Sequence, residues 1–320
     1  MRKTDTKEFL FLDTPISCEV KTIDSPIRPA GSHTRVFHNH DGYEIYLFLE
    51  GDVNYFTEKS GKKLERGDLI LSKPYQFHCA VLNNENIYNR VVINISQKVM
   101  QELCALSDDF AICFETDGPV LTLDDETAMA FVGTAEKLQR ELVSDEWGSS
   151  LLCSILLQEL LIRIRRQFPY AEKRRDGNIM PALAAQTFSY IEEHITQEIT
   201  LQILSRELHH NGTYISRCFK KVTGCTLQSY VIAKRIGLAK QYLRRGVSPT
   251  EACYLSGFQN YSNFSRMFHR QTGCSPKQYQ ACTDSFPEDP DKNPVNRFLP
   301  ARREDVPESL PDSSRKNERH

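Results

Sequence analysis

No run of eighteen or more apolar residues occurs in this 320-residue chain, so no membrane-spanning helix is expected. The first residues, MRKTDTKEFLFLDT, carry acidic side chains and lack a long apolar core, so they do not read as an export signal. No CxxC pair occurs among the ten scattered cysteines. Reduced thiols in a cytoplasmic protein are therefore expected, and a disulfide framework is not. Nor is there a strong overall charge, since 40 Lys/Arg stand against 42 Asp/Glu. That balance hides a split. Residues 180–283 hold 12 Lys/Arg and 5 Asp/Glu, a net of +7, whereas residues 1–179 come to −7. A basic segment beside an acidic one points to a polyanionic partner for the basic segment alone. Uneven charge on a solvated surface is the plainer alternative.

Length and pattern predict two domains. Residues 34–95 read as short strands: YEIYLFLEGDVNYF is rich in aromatic and branched residues, EKSGKK and LERGD mark turns, and DLILSKP and IYNRVVINIS follow. Such spacing favours a barrel or sandwich. From about 97 to 170 the period becomes helical. LLCSILLQELLIRIRRQF at 151–168 has an apolar stripe through Leu152, Ile155, Leu156, Leu160 and Ile164, which packs on its own domain or forms a dimer seam. Residues 171–180, polar and Gly-containing, read as a linker. Residues 181–283 look all-helical, with a capping box at Ser248-Pro249-Thr250-Glu251 and the same logic at Ser275-Pro276-Lys277-Gln278. Residues 284–320, rich in Pro and charge, are expected to be a disordered tail.

The all-helical segment writes ISRCFKKVTG at 215–224 and FSRMFHRQTG at 264–273. Two copies are too few for a solenoid, which needs at least three units. Each copy follows a short apolar helix and a turn of about four residues containing Gly, which is the layout of a helix-turn-helix. Ile215 and Phe219, like Phe264 and Phe268, are four apart and share one face, which buries. Arg217 and Arg266 then point elsewhere, with Ser216 and Ser265 beside them. Such a face can enter a major groove, where Arg bonds guanine O6 and N7. Lys220, Lys221, His269 and Arg270 lie further along and suit phosphates. Recognition helices joined by a long helix at about 226–245 can sit in successive grooves, ~34 Å apart.

With these motifs in view, residues 181–283 resemble the DNA-binding domain of the AraC/XylS family of bacterial transcription regulators. The resemblance runs from ITLQILSREL to GCSPKQYQ and is sharpest in the second half, through Ala252, Gly257-Phe258, Phe264-Ser265-Arg266-Met267-Phe268 and Gly273-Cys274-Ser275-Pro276. It implies seven helices with two helix-turn-helix units. Base-facing positions fall on Thr213, Ser216 and Arg217 in the first unit, and on Ser262, Asn263, Ser265 and Arg266 in the second. Gly257 falls at a turn that needs positive φ. The first turn reads HHNG, where the family has a small residue and Ser.

The stretch FHNHDGYEIYLFLEG, followed by Gly67-Asp68, Pro74 and His78, resembles the cupin pattern. The fold expected is thus α+β: a cupin-like β-barrel with helices over 1–170, then the all-α domain. In metal-binding cupins the matching residues, here His38, His40, Glu44 and His78, hold a divalent ion. Regulators of this class commonly keep them metal-free as polar contacts for a small ligand, so no metal and no cofactor is expected. Tyr43, Tyr46 and Tyr55 would suit a hydroxyl-rich ligand, and sugars are the effector class the resemblance implies. His38, His40, Glu44, Tyr46 and His78 are the expected ligand contacts. The function implied is a homodimeric, sequence-specific activator that binds promoter DNA, responds to a small molecule and recruits RNA polymerase. The rival is a metal-dependent cupin enzyme fused to DNA-binding helices.

Overall fold

The computed structural model describes residues 16–21, 37–84, 87–106, 109–115, 121–168 and 178–281. The expected tail at 284–320 and most of the linker lie outside these residues.

The N-terminal part is built from antiparallel strands in two sheets. The larger runs in the order β1 (Ile16–Lys21), β7 (Tyr88–Ile95), β2 (Tyr43–Gly51), β5 (Asp68–Ser72), β8 (Leu121–Thr122). The smaller runs β4 (Gly61–Lys63), β3 (Val53–Thr57), β6 (His78–Leu82). The expected barrel is therefore a cupin-like sandwich that does not close among the described residues. Its two sheets share one path of chain. The register of β2 slips between Phe48 and Glu50, and past Gly51 the chain re-enters as β3 in the other sheet. Strand β1, which sequence pattern did not reveal, pairs along β7 from Ile16↔Ile95 to Lys21↔Arg90.

Strand β2 has no polar face because its sheet is covered on both sides. Ile45, Leu47 and Leu49 point to a core shared with α1 (Gln97–Cys104), α2 (Asp109–Glu115), α3 (Asp125–Glu141) and α4 (Ser149–Gln167). Tyr46 and Phe48 point between the sheets, against Tyr55, Ile70 and Tyr88. On α4 the buried face comprises Cys153, Leu156, Leu157, Leu160, Leu161 and Ile164. Leu152 and Ile155, expected in that stripe, are instead 40% and 51% exposed and share an outer face with Leu151 and Ile162. A helix apolar nearly all round defines no unique stripe, so periodicity alone could not choose its inward side.

The C-terminal part is seven helices, as expected: α5 (Ala182–Glu193), α6 (Leu201–Glu207), α7 (Gly212–Thr223), α8 (Leu227–Arg244), α9 (Pro249–Leu255), α10 (Tyr261–Thr272) and α11 (Pro276–Ala281). Their starts follow from capping side chains. Ser248 Oγ accepts from Glu251 N at 3.3 Å, with Pro249 at the first helical position. The Ser275 box is fully reciprocal: Gln278 N donates to Ser275 Oγ at 3.2 Å, and Ser275 N donates to Gln278 Oε1 at 2.9 Å.

The two parts share a core. Phe37, Phe56, Phe77 and Cys79 of the sandwich pack with Phe188, Phe219 and Tyr230 of the helices. Phe37 stacks on Phe188 at 5.3 Å between ring centroids, and Phe77 meets Tyr230 edge-on at 4.9 Å. Burying an aromatic of this size contributes about 1.5–3 kcal/mol. The expected linker ends as part of this contact, not as free chain. Ile179 N donates to Gly61 O at 3.0 Å, and Gly61 N donates to Asn178 Oδ1 at 2.9 Å.

Candidate nucleic-acid interface and effector site

The repeated decapeptide divides into three kinds of position. Its phenylalanines and Ile215 form the inward face: Ile215, Phe219, Phe264 and Phe268 are fully buried. Its Thr-Gly ends the helix. Thr223 Oγ1 and Thr272 Oγ1 each donate to the carbonyl four residues back at 2.8 Å, and Gly224 and Gly273 take φ of 72° and 80°. Its Arg is outward. Thr213, Arg217, Lys220 and Lys221 on α7 are exposed, as are Ser262, Asn263, Arg266 and Arg270 on α10, while Ser216 and Ser265 sit half-buried at the margin. Eight of the ten expected DNA-facing residues are thus exposed on two corresponding helices, and the two serines lie at the edge of that surface.

The turns before these helices differ. In the second unit the left-handed residue is Gly257 (φ 89°), where a Cβ would come within 2.7 Å of Thr196 Cα. Asn260 then caps α10, accepting from Asn263 N at 2.9 Å. In the first unit the left-handed residue is His209 (φ 53°), and Asn211 caps α7 two residues later. The first turn is thus one residue shorter. The glycine expected within it, Gly212, is the first residue of α7 instead.

Three histidines meet at the other site. His38 and His40 lie on the strap 37–41, and His78 begins β6. His38 N donates to His78 O at 3.0 Å, and His78 N returns the bond to His38 O at 2.9 Å. The ring centroids are 4.6–5.2 Å apart, and one nitrogen from each ring lies within 4.8 Å of the others. Buried Glu44 stands between two of them: Oε2 is 3.1 Å from His40 Nε2, and Oε1 is 3.2 Å from His78 Nε2. Burial acts to raise the Glu44 carboxyl, but the facing His78 and His40 outweigh it and hold it well below the usual carboxylate range.

Neither Nε2 makes an aligned hydrogen bond, despite these short distances. His78 Nδ1 lies 3.0 Å from Gln76 O, a carbonyl that can only accept, so this nitrogen donates, and Nε2 is the atom turned to Glu44. A cation or a donor seated between these rings and the carboxylate would engage all of them at once. Three imidazoles and a carboxylate that converge in this way fit a divalent transition metal, as the cupin-like pattern implies.

Tyr55 stacks on His78 at 5.8 Å, and its buried hydroxyl makes no aligned hydrogen bond among the described residues. Tyr46 packs on Tyr55 at 5.3 Å between rings, and its hydroxyl lies 2.8 Å from Tyr88 Oη. Tyr43 is on the other face of β2, against Phe114 at 4.9 Å, and leaves the site. Gly67-Asp68 serves the fold: Asp68 is fully buried and accepts from Thr122 Oγ1 at 2.9 Å and Glu65 N at 2.8 Å. Sequence reading missed Asp41, which sits beside the histidines and reaches into the helical domain.

An AraC-like ligand binding domain matches residues 28–161, and a helix-turn-helix domain matches residues 204–281. The class defined is a transcription regulator with a ligand-binding domain ahead of a DNA-binding one. The uncharacterized HTH-type transcriptional regulator YobQ of Bacillus subtilis is 35% identical over 260 residues, covering 78% of this chain and 91% of that protein. The chain belongs to the AraC family of HTH-type transcriptional regulators. The HTH-type transcriptional activator RhaS of Salmonella arizonae is 28% identical over 135 residues, covering 42% of this chain and 47% of that protein. Among solved structures, ToxT from Vibrio cholerae O395 is similar at 15% identity and a TM-score of 0.33, over 83% of this chain and 97% of that one. No helix among the described residues is long and apolar enough to cross a membrane.

Proposed function

We propose that the chain is a sequence-specific transcription activator that reads promoter DNA through α7 and α10 and responds to a small molecule held at the His38–His40–Glu44–His78 cluster. The observation that carries the reading is the repeated helix pair, with Arg217 and Arg266 exposed on matching faces over buried phenylalanines. Thr213, Ser216, Ser262, Asn263 and Ser265 face bases beside them. Lys220, Lys221 and Arg270 meet phosphates. Residues 1–170 form the sensory unit and residues 181–283 the DNA-binding unit. Activation draws support from the likeness to RhaS, and it entails contact with RNA polymerase in the cytoplasm. The exposed Leu151, Leu152, Ile155 and Ile162 on α4 suit a second copy, which gives a homodimer able to hold two sites at once.

Two effector classes compete for the cluster. A sugar follows from family likeness and from the polar lining with Tyr46 and Tyr55. A divalent metal ion is favoured by the convergence of His38, His40 and His78 beside Glu44, whose contacts with two of the rings are short but unaligned. His38, His40, Glu44 and His78 would hold it, and it would supply a Lewis-acid centre there. Such a centre with an open coordination position is also what a fused cupin enzyme would require. The deciding experiment is enrichment of genomic fragments by the protein at physiological salt, alone, with a sugar panel and with divalent metals. Enrichment of one promoter, shifted by one compound, fixes both partners. No selective enrichment overturns the regulator reading. Stoichiometric metal that is lost in His40→Ala, with no effect on DNA occupancy, would favour the enzyme.

A further inference from the structure

Asp41 belongs to the sensory unit but spends its carboxylate on the DNA-binding unit. It is 8% exposed. Its Oδ1 lies 2.7 Å from Lys240 Nζ, its Oδ2 accepts from Tyr279 Oη at 2.9 Å, and Arg244 Nη2 approaches at 3.5 Å. Arg244 Nε in turn donates to Tyr279 Oη at 3.1 Å. The contact therefore ties α8, the helix between the two helix-turn-helix units, and α11 to one residue of the strap. The strap itself is held tightly. The Asp41 carbonyl accepts from the Gln97 side chain, and Tyr75 N donates to His40 O at 2.7 Å. Gly237 gives α8 a low spot beneath it, where a Cβ would lie 3.6 Å from Tyr75 and 3.7 Å from Asn39.

The same strap carries His38 and His40. In the observed arrangement Glu44 lies between His40 and His78, at 3.1 and 3.2 Å. A ligand that takes both Nε2 atoms must enter between them and that carboxylate, where 3.1 Å leaves no room, and so must re-seat His40. His40 is the residue next to Asp41, whose carbonyl and both carboxylate oxygens are already engaged. Re-seating the one therefore pulls on the other, and the two arrangements oppose each other. A second grip keeps the domains together meanwhile. Glu58, from the turn after β3, bonds Tyr230 and Lys234 on earlier turns of α8, over the shared aromatic core.

We propose that the contacts of Asp41 with Lys240, Arg244 and Tyr279 form a latch, opened by ligand binding at the His38–His40–Glu44–His78 cluster, that controls how α8 presents the two recognition helices. This inference rests on the cluster being the effector site. Linkage makes the effect reciprocal: whatever opens the latch from the helical side must tighten ligand binding by the same factor.

Cobalt(II) is a suitable probe, because imidazole and carboxylate donors bind it and its visible absorption reports coordination. The full-length protein is titrated beside Lys240→Gln and Tyr279→Phe. Both changes lie in the DNA-binding unit, and the second keeps the ring that packs on Phe268 at 5.4 Å. Each variant should bind cobalt at least about fivefold more tightly, the low end of allosteric coupling. His78→Ala should abolish the signal. Equal or weaker binding in both latch variants overturns the proposal, and so does a wild-type protein that binds no cobalt. If that same wild-type protein still enriches one promoter, the regulator reading survives and only the latch falls. If the latch variants shift cobalt affinity but no DNA is selected, the regulator reading falls while the coupling stands.

Discussion

Arg266 Nη2 donates to Asn263 Oδ1, one turn earlier on α10, at 3.0 Å. Two side chains expected to read bases thus hold each other on the exposed side of the helix. The bond orders the guanidinium without burying it, and its remaining donors stay free for a base edge. Arg266→Ala should cost about 1–3 kcal/mol at a cognate site and relax preference at one base pair. Anisotropy titrations against single-base variants of that site measure both. An equal loss on all sequences would place Arg266 on a phosphate.

Lys220 is exposed at the last turn of α7, beyond Arg217 and away from the turn that leads into the helix. From there the ammonium is expected to meet backbone charge, which carries no sequence information. Lys220→Ala should weaken every sequence alike and reduce the slope of log affinity against log salt by about 0.9, one phosphate contact. A salt series on specific and random duplexes tests this. A change in sequence preference would show the sorting of contacts to be wrong.

Phe268 is fully buried, and its ring meets Phe264 at 5.5 Å and Tyr279 at 5.4 Å. Truncation removes a shared partner from α10 and α11 together. Phe268→Ala should destabilise the second unit by about 3–5 kcal/mol, read as a fall in urea midpoint. A loss below ~1 kcal/mol would mean that the small core around it recloses.

The helix-turn-helix pair was legible because each unit is local. Its caps, buried face and exposed face all lie within about twenty residues, and helical period sorts them. His38, His40, Glu44 and His78 were legible as a set through the resemblance to the cupin pattern, which runs from His38 to His78. The strap's second task was not. Asp41 meets Lys240 and Tyr279 across 199 and 238 residues of chain, and no local pattern marks a carboxylate for a distant lysine. Strand β1 stayed hidden for the same reason, since its partner β7 lies some seventy residues on. The outward face of α4 was misread where Leu152 and Ile155 look inward by composition, because only packing against α3 and the sheet breaks that tie.

The unequal turns give the last prediction. Gly257 and His209 occupy the left-handed position after the first helix of each unit, at φ 89° and 53°. For a residue with a Cβ this conformation costs roughly 1–2 kcal/mol. At Gly257 the backbone of Thr196 and Ile195 also lies within 2.8 Å of where a Cβ would sit, so strain and overlap add. Gly257→Ala should therefore lower stability by more than that strain alone. His209→Gly should do the opposite and raise stability by up to ~1 kcal/mol, since the glycine gains in the folded turn what it partly loses in chain entropy. Both are read from urea unfolding of the full chain. A destabilised His209→Gly would mean that the imidazole, and not the turn geometry, holds the first unit's short connection in place.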